Sequence, residues 1–268
     1  KSVRKANFPY REAKIIQYVS ESRPNIKHFF PKLVGVKIMS ESDMSILRSL
    51  PDFDGLISDH GRDPFFYIVT EEVKGENVFD RLQPQPARMN IPDILNDLIL
   101  IAEAIQALHS EGVVHRDLSP DGIFLNFSEG HAVFVDFEFS LVRSRPGYTN
   151  HLDLGRIDDE YLRFGKDQYS GHSEDVENSH LRDLRSLVGI AYDYFSYLTR
   201  PNEKLFQRFI FEGLALRGLL DELERNVQTQ DLSDAQYYVE YFKSKLRILK
   251  GLGPNDTFAD VFNSHVHG

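Results

Sequence analysis

The hydrophobic and polar positions of the first 70 residues predict two helices, one of them short, and two strands. Apolar residues recur at helical spacing between Phe8 and Ser20. The polar side of this helix carries Arg11, Glu12 and Lys14. Lys32 to Met39 alternates like a strand, and the aromatic and β-branched run from Phe65 to Val69 is typical of a buried strand. The polar residues 40–64 between them predict an insert with a short helix at 44–50.

The remaining pattern is mostly helical. One helical turn is expected at Val78 to Leu82, and a longer helix is expected from an N-cap at Asn90 to about His109. This second helix is apolar around most of its circumference, which predicts a central, buried position. Two short strands, at 123–125 and 132–135, follow it as a hairpin. Further helices are predicted at 182–197, 204–220 and 237–249.

Composition excludes several classes of protein. The 268 residues include 31 Lys+Arg and 41 Asp+Glu, a formal charge of −10, and no Cys. Disulfides, a thiolate nucleophile and Cys-ligated zinc are therefore impossible. The negative charge argues against a nucleic-acid partner, and no apolar run is long enough for insertion into a membrane. Because the chain begins at Lys1 without an initiator Met, we expect the remainder of a larger polypeptide upstream.

Two aspartates on loops beside the predicted hairpin are the strongest candidates for chemistry. Asp117 lies in the segment HRDLSP at 115–120, and Asp136 begins the segment DFE at 136–138, 19 residues later. The hairpin would bring both carboxylates to the opening of the same cleft, which is called the mouth below. Such a pair suits phosphoryl transfer, in which one carboxylate orients a hydroxyl and the other holds Mg²⁺ against phosphates. The alternative is that each aspartate only caps a helix or turn.

These segments resemble the catalytic loop and the magnesium-binding loop of the protein-kinase superfamily. The resemblance implies an α+β, two-lobed fold with a reduced β-rich N-lobe and a mostly helical C-lobe. We expect a partial N-lobe at 1–73, comprising the third strand, the regulatory helix, strands four and five and the insert 40–64. The helical C-lobe with the catalytic loop and activation segment would be 74–268.

The resemblance also implies a nucleotide site that binds ATP with Mg²⁺. The catalytic residues would be Asp117, with Arg116 beside it, and the metal ligand would be Asp136. Thr70 would be the gatekeeper, Glu71 and Val73 would offer backbone groups to the adenine, and Phe124 would lie under its ring. Glu12 would be the glutamate of the regulatory helix.

The lysine that would pair with Glu12 has two candidates. KSVRK at 1–5 is similar to the end of the family's third strand, which would make Lys1 the phosphate-contacting lysine. A solvated basic N-terminus is the alternative. Lys5 is the fallback, although only seven residues separate it from Glu12.

Downstream segments agree with the resemblance. Residues 144–149 are similar to an activation segment, and residues 159–162 are similar to the end of that segment. Asp183 is similar to the aspartate that supports the catalytic loop. Ser144, Tyr148 and Thr149 are candidate phosphorylation sites, and Arg116 would bind the phosphate group. His265 and His267 are two residues apart near the chain end, which is more typical of a tail than of a metal site. His172 and His180 do not have the spacing of an HExxH metal motif, and His115 is expected to be packed rather than to act as a base.

Several departures separate the chain from the family pattern. Gly122 stands where the family has an asparagine that binds a second Mg²⁺, and Asp121 is the only neighbouring substitute. Ser119 stands in place of a lysine, and Glu138 in place of the glycine of the magnesium loop. A glycine-rich loop does not precede Glu12.

We therefore expect an ATP/Mg²⁺-dependent phosphotransferase acting on Ser/Thr of a protein substrate. The first alternative is a pseudokinase, a scaffold or regulator that binds a protein partner. The second is a small-molecule kinase of related fold. We expect the protein in the cytoplasm, with the nucleus as the alternative.

Overall fold

The computed structural model describes residues 2–38, 66–83, 91–142, 180–199 and 235–251. These ranges contain helices of very different length, joined by irregular segments and three short 3-10 turns. The helices are α1 (Ser2–Ser22), α2 (Val78–Arg81), α3 (Ile91–Ser110), α4 (His180–Thr199) and α5 (Ala235–Gly251). The 3-10 turns are Lys27–Phe29, Pro120–Gly122 and Phe137–Phe139.

The strands form small antiparallel sheets. β1 (Leu33–Ile38) pairs with β2 (Phe66–Thr70), with Val36 opposite Ile68. β3 (Glu76–Asn77), β5 (Ile123–Asn126) and β6 (His131–Phe134) form a second sheet in the order β3-β5-β6. β4 (Val113–Val114) pairs with β7 (Leu141–Val142). Over the described residues the fold is therefore mixed helix and sheet, as the α+β prediction requires.

Helix α3 forms the centre of the core. It packs against α4, α5 and the strands β4 to β6. Its apolar side chains lie on several sides of the helix and are fully buried, among them Leu95, Leu98, Ile101, Ile105 and Leu108. Burial of each such side chain contributes about 1.5–3 kcal/mol, so this helix fixes the loops on either side of it. The prediction of a central helix is confirmed.

Most predicted elements in the described ranges are confirmed within a few residues. The two N-terminal strands, the hairpin at 123–134 and the helices at 182–197 and 237–249 all form. The insert helix at 44–50, the cap at Asn90 and the helix at 204–220 lie outside the described residues.

The N-terminal strand prediction is wrong for residues 2–5. Ser2 begins helix α1, so Lys5 lies within a helix and not at the end of a strand. The segment contains one β-branched residue, Val3, and two good helix formers, Arg4 and Lys5, so local propensity favours a helix. Lys1 itself lies outside the described residues.

Within the described ranges, we find no helix with the length and apolarity needed to cross a bilayer.

Candidate active site

Asp183 anchors the segment that carries Asp117. It is fully buried in α4, and its carboxylate accepts the backbone N–H groups of His115 at 2.9 Å and Arg116 at 2.6 Å. His109 Nε2 lies 2.8 Å from the same carboxylate. Burial alone would raise the pKa of Asp183, but the hydrogen bond and charge of His109 and the other donors hold it below its usual value. The predicted supporting role of Asp183 is confirmed.

His115 is a structural member of this loop. Its Nε2 lies 2.9 Å from the carbonyl oxygen of Val135, which can only accept, so Nε2 carries the proton. Nδ1 then accepts from the backbone N–H of Asp117 at 3.4 Å. Burial lowers the pKa of His115, and its ring packs on Phe137 with centroids 4.6 Å apart. The ring is therefore neutral and packed, in agreement with the sequence prediction.

Asp136 lies at the end of β6 in a left-handed backbone conformation, with φ of 66°. Non-glycine residues avoid this region, so the surrounding contacts must hold it there. The next residue, Phe137, is fully buried and stacks on Phe30 with ring centroids 4.0 Å apart and an interplanar angle of 19°. This stacking fixes the direction in which the chain leaves Asp136.

Four carboxylates converge at this end of the hairpin. The pKa of Glu138 is raised to about 7, mainly by burial and then by the negative charges of Glu12, Asp136 and Asp117. Each of these three carboxylates therefore lies close enough to act on Glu138. The ring of His115 links the loops of Asp117 and Asp136, because it contacts both the backbone N–H of Asp117 and the carbonyl oxygen of Val135. The prediction that the two aspartates share one mouth is therefore confirmed. The glutamate of the DFE segment adds another carboxyl group there, which its raised pKa leaves only partly ionised near neutral pH.

Helix α1 reaches the same segment through consecutive residues. Glu12 Oε1 accepts the backbone N–H of Phe137 at 3.2 Å, and burial raises the pKa of Glu12. Arg11 donates from Nε to the carbonyl oxygen of Glu138 at 2.8 Å and from Nη2 to that of Ser140. The helical pattern places Arg11 on the polar side of the helix, yet its exposed fraction is only 6%.

The Gly122 position lies in a tight turn that links the two loops. Its N–H donates to Ser119 O, and its carbonyl accepts from the N–H of Val135, both at 3.0 Å. A Cβ added to Gly122 would lie 3.6 Å from its nearest neighbour, Val135 O, which is an ordinary contact. The neighbouring Asp121 is exposed and accepts the hydroxyl of Ser119.

The predicted adenine-binding segment begins at the end of β2. Thr70 is the last residue of this strand, and the N–H of Glu71 donates to Lys32 O at 2.8 Å. Val73 follows on the connection to β3, where Asn77 lies opposite Phe124 of β5. The pairing of β3 with β5 therefore joins this segment to the strand that carries Phe124.

A buried polar cluster between α2, α3 and α4 was missed from the sequence. Arg81 donates from Nε to Asp97 Oδ2 at 2.8 Å and forms an ion pair with Glu76 at 2.7 Å. Tyr194 also donates to Asp97 Oδ2, at 3.0 Å. Burial raises the pKa of Asp97 to about 6, while Arg81 and Tyr194 partly offset this effect. An aspartate in a helix that is predicted to be buried on most sides was the signal for such a cluster.

Other candidates lie apart from this mouth or outside the described residues. His180 is the first residue of α4, and its ring meets that of His109 edge-on at 6.2 Å. The described part of the chain contains no group of three His, Asp or Glu side chains arranged to hold a metal ion. Outside the described residues lie Lys1, Ser144, Tyr148, Thr149, the segment 159–162, His172, His265 and His267.

Comparisons with known proteins agree with this geometry. Residues 38–154 match the family model described as the protein kinase domain. The chain is 35% identical over 74 residues to the serine/threonine-protein kinase PknA of Nostoc sp., covering 27% of this chain and 13% of that protein. It is 28% identical over 138 residues to the serine/threonine-protein kinase AGC1-7 of Arabidopsis thaliana, covering 46% and 24%.

A third relative is calcium/calmodulin-dependent protein kinase type 1 of Caenorhabditis briggsae, 30% identical over 112 residues, covering 40% of this chain and 31% of that protein. The chain thus spans less than a third of the length of each of these three relatives. The predicted resemblance to the protein-kinase superfamily is confirmed, and the matched region 38–154 includes both Asp117 and Asp136.

Proposed function

We propose that this chain is an ATP- and Mg²⁺-dependent phosphotransferase of the protein-kinase type, acting on Ser or Thr of a protein substrate. The observation that carries the proposal is the hydrogen-bonded link between the two loops, because the His115 ring contacts both the backbone N–H of Asp117 and the carbonyl oxygen of Val135, directly before Asp136. Asp183 in turn accepts the backbone N–H of His115, so hydrogen bonds hold the two loops together. The proposed architecture is two-lobed, with the nucleotide between residues 1–73 and the helical remainder.

In this proposal Asp117 accepts a hydrogen bond from the attacking hydroxyl and orients it. Asp136, which is exposed to solvent, offers oxygen ligands to a metal. Mg²⁺ is bound through one or two carboxylates together with substrate phosphates, so a preformed cluster of three side chains is not needed. The residues present therefore fit Mg²⁺, which would neutralise charge on the phosphates.

The backbone of Glu71 and Val73 would receive the adenine, next to Thr70 and over Phe124. Glu12 would lie beside the phosphates, with Lys1 as its proposed partner. Asp121 is the proposed substitute ligand at the Gly122 position. Its carboxylate already accepts the Ser119 hydroxyl, so metal binding there would compete with an existing hydrogen bond.

A pseudokinase is the second candidate, and a specific feature favours it. Gly122 has no side chain to bind a second metal, and Glu138 places a further carboxyl group, partly ionised near neutral pH, beside Asp136. Both changes weaken binding of a metal-bound nucleotide or alter its position. A chain of this kind would bind a protein partner without transferring phosphate.

The test is nucleotide binding followed by phosphate transfer in the 268-residue chain. Thermal stability is measured with ATP, with and without Mg²⁺, and transfer of labelled γ-phosphate to basic and acidic protein substrates is then measured. The variants are Asp117→Asn and Asp136→Asn, with the exposed Glu240→Gln as matched control. A ligand at 100 times its Kd adds about 2.7 kcal/mol of stability, so binding is readily detected.

The proposal predicts that Asp136→Asn loses the Mg²⁺-dependent stabilisation. Asp117→Asn should keep nucleotide binding and lose transfer, and Glu240→Gln should behave like the unmodified chain. Binding without transfer under all conditions would favour the pseudokinase. No stabilisation at millimolar ATP would overturn the nucleotide site itself.

A further inference from the structure

Arg11 and Glu12 contact the segment after Asp136 from the same turn of helix α1. Glu12 Oε1 accepts the N–H of Phe137 at 3.2 Å. Arg11 donates to the carbonyl oxygens of Glu138, at 2.8 Å, and of Ser140. Two consecutive residues of α1 thus bind the segment 137–140 through one backbone N–H group and two carbonyl oxygens. These residues lie about 125 positions earlier in the chain.

The Arg11 contacts depend on the shape of its guanidinium. The group is planar and carries several N–H donors in a fixed arrangement, so it can bind two carbonyl groups at once. A lysine ammonium is a compact point charge and does not reproduce this fork. Burial, followed by the charge of Arg116, lowers the pKa of Arg11 to about 10, so it remains protonated at neutral pH.

The contacts lie where the backbone needs external support. Asp136 has φ of 66°, in the left-handed region that non-glycine residues adopt far less often than glycine. Such a conformation persists only when the neighbouring structure holds it. Arg11 binds the chain two and four residues after Asp136, which limits the directions that the peptide following Asp136 can take.

The contacts of Ser140 extend this support to the catalytic loop. The side chain of Ser140 is fully buried, and its Oγ donates to the carbonyl oxygen of His115 at 3.1 Å. Its own carbonyl oxygen accepts from Arg11. Helix α1, the segment after Asp136 and the loop before Asp117 are therefore connected by hydrogen bonds through a single residue.

We propose that Arg11 is a positioning residue, which sets the Asp136 loop for metal-nucleotide binding and couples it to the position of helix α1. This inference rests on the proposed function, since it concerns how Asp136 meets Mg²⁺. It does not require a lysine in contact with Glu12, because α1 supplies its own link to the loop. The chain can therefore hold the regulatory helix against the metal-binding loop whether or not Lys1 reaches the site.

The test uses Arg11→Gln, which shortens the side chain and removes the charge, and Arg11→Lys, which keeps the charge and most of the buried stem. Gln17→Ala, at an exposed position of α1, is the matched control. Amide hydrogen exchange is measured for residues 136–142 without nucleotide. The Mg²⁺ concentration that gives half-maximal stabilisation by ATP is measured separately, together with ATP affinity without Mg²⁺.

We expect Arg11→Gln to increase exchange at 136–142 and to raise the Mg²⁺ midpoint about tenfold, equivalent to about 1.4 kcal/mol. Affinity for ATP without Mg²⁺ should remain unchanged. Arg11→Lys should show most of the same defect, whereas Gln17→Ala should show none. Since Arg11→Lys retains the charge, it also provides a folded variant if Arg11→Gln is too unstable to measure.

Unchanged exchange at 136–142 in both Arg11 variants would overturn the proposal. Faster exchange with an unchanged Mg²⁺ midpoint would show a purely structural contact and would also overturn it. Full rescue by Arg11→Lys would refute the role of the guanidinium fork. If the unmodified chain binds no nucleotide, the proposed function fails, while the exchange measurement still decides whether Arg11 holds the loop.

Discussion

Asp183 Oδ1 accepts the backbone N–H of Arg116 at 2.6 Å, across 67 residues of sequence. Arg116 has φ of 73°, a conformation that is unfavourable for a side chain of this size. The buried carboxylate thus fixes a strained residue directly before Asp117. It does so from helix α4, which belongs to the same core as α3.

Replacing this carboxylate should therefore destabilise the chain. Asp183→Ala leaves the N–H groups of His115 and Arg116 buried without their acceptor, at about 1–3 kcal/mol each. We expect the free energy of unfolding to fall by about 3 kcal/mol, measured by urea denaturation. Glu240→Ala removes a carboxylate whose ion pair with Arg247 is exposed, and should cost below 1 kcal/mol. Equal losses in the two variants would contradict the anchoring role.

Asp97 should make stability depend on pH in an unusual direction. Burial raises its pKa to about 6 in the folded chain, above the value of about 3.9 for an unfolded chain. Between these values the folded state binds more protons, so the contribution of Asp97 to stability falls as pH rises from about 4 to about 6. The fall is up to about 3 kcal/mol, since one pKa unit corresponds to about 1.4 kcal/mol.

Asp97→Asn should remove this contribution. Unfolding free energies measured between pH 4 and pH 8 should show a smaller decline with rising pH for Asp97→Asn than for the unmodified chain. Glu103→Gln, the same carboxylate-to-amide change at a partly exposed position of the same helix, should retain the decline. Parallel pH profiles for the Asp97 variant and the unmodified chain would refute the assignment.

Gly122→Asn should strengthen metal binding if the proposed function is correct. The position accepts a Cβ without a close contact, so the first atom of an asparagine side chain meets no clash there. Its amide oxygen would add one hard ligand beside Asp136. We expect the Mg²⁺ midpoint for ATP binding to fall about tenfold, or about 1.4 kcal/mol.

Gly122→Ala is the control for this gain. It introduces the same Cβ without an oxygen ligand, and should leave the Mg²⁺ midpoint unchanged. A similar improvement in both variants would attribute the effect to a stiffer backbone. No improvement with Asn would mean that position 122 does not face the bound metal.

Gly75→Ala should disrupt the connection between β2 and β3. Gly75 has φ of 129°, and a Cβ there would lie 2.7 Å from the carbonyl oxygen of Leu125. The backbone penalty and the steric clash together predict a loss of about 3 kcal/mol in unfolding free energy. Gly130→Ala, at φ of 71° with no atom within 4 Å of the added Cβ, should lose only about 1 kcal/mol. Chemical denaturation of both variants measures the difference, and equal losses would contradict the contact with Leu125.

The sequence by itself determined the main secondary structure and the location of the chemistry. The apolar pattern of 94–108 predicts helix α3 because burial on nearly every side requires apolar residues at nearly every position. The segments that carry Asp117 and Asp136 were recognisable because residue types and their order along the chain are local information. The hairpin between them follows from two short apolar runs and a turn.

Tertiary structure alone decided which polar side chains are buried and what they contact. Helical periodicity assigns Arg11 to the polar side, yet the carbonyl groups that bury it belong to a segment 127 and 129 residues away. Asp97 likewise interrupts an apolar helix without any local sign that Arg81 and Tyr194 surround it. Periodicity describes one element at a time, whereas the partners of a buried charge come from elements that meet only in the folded chain.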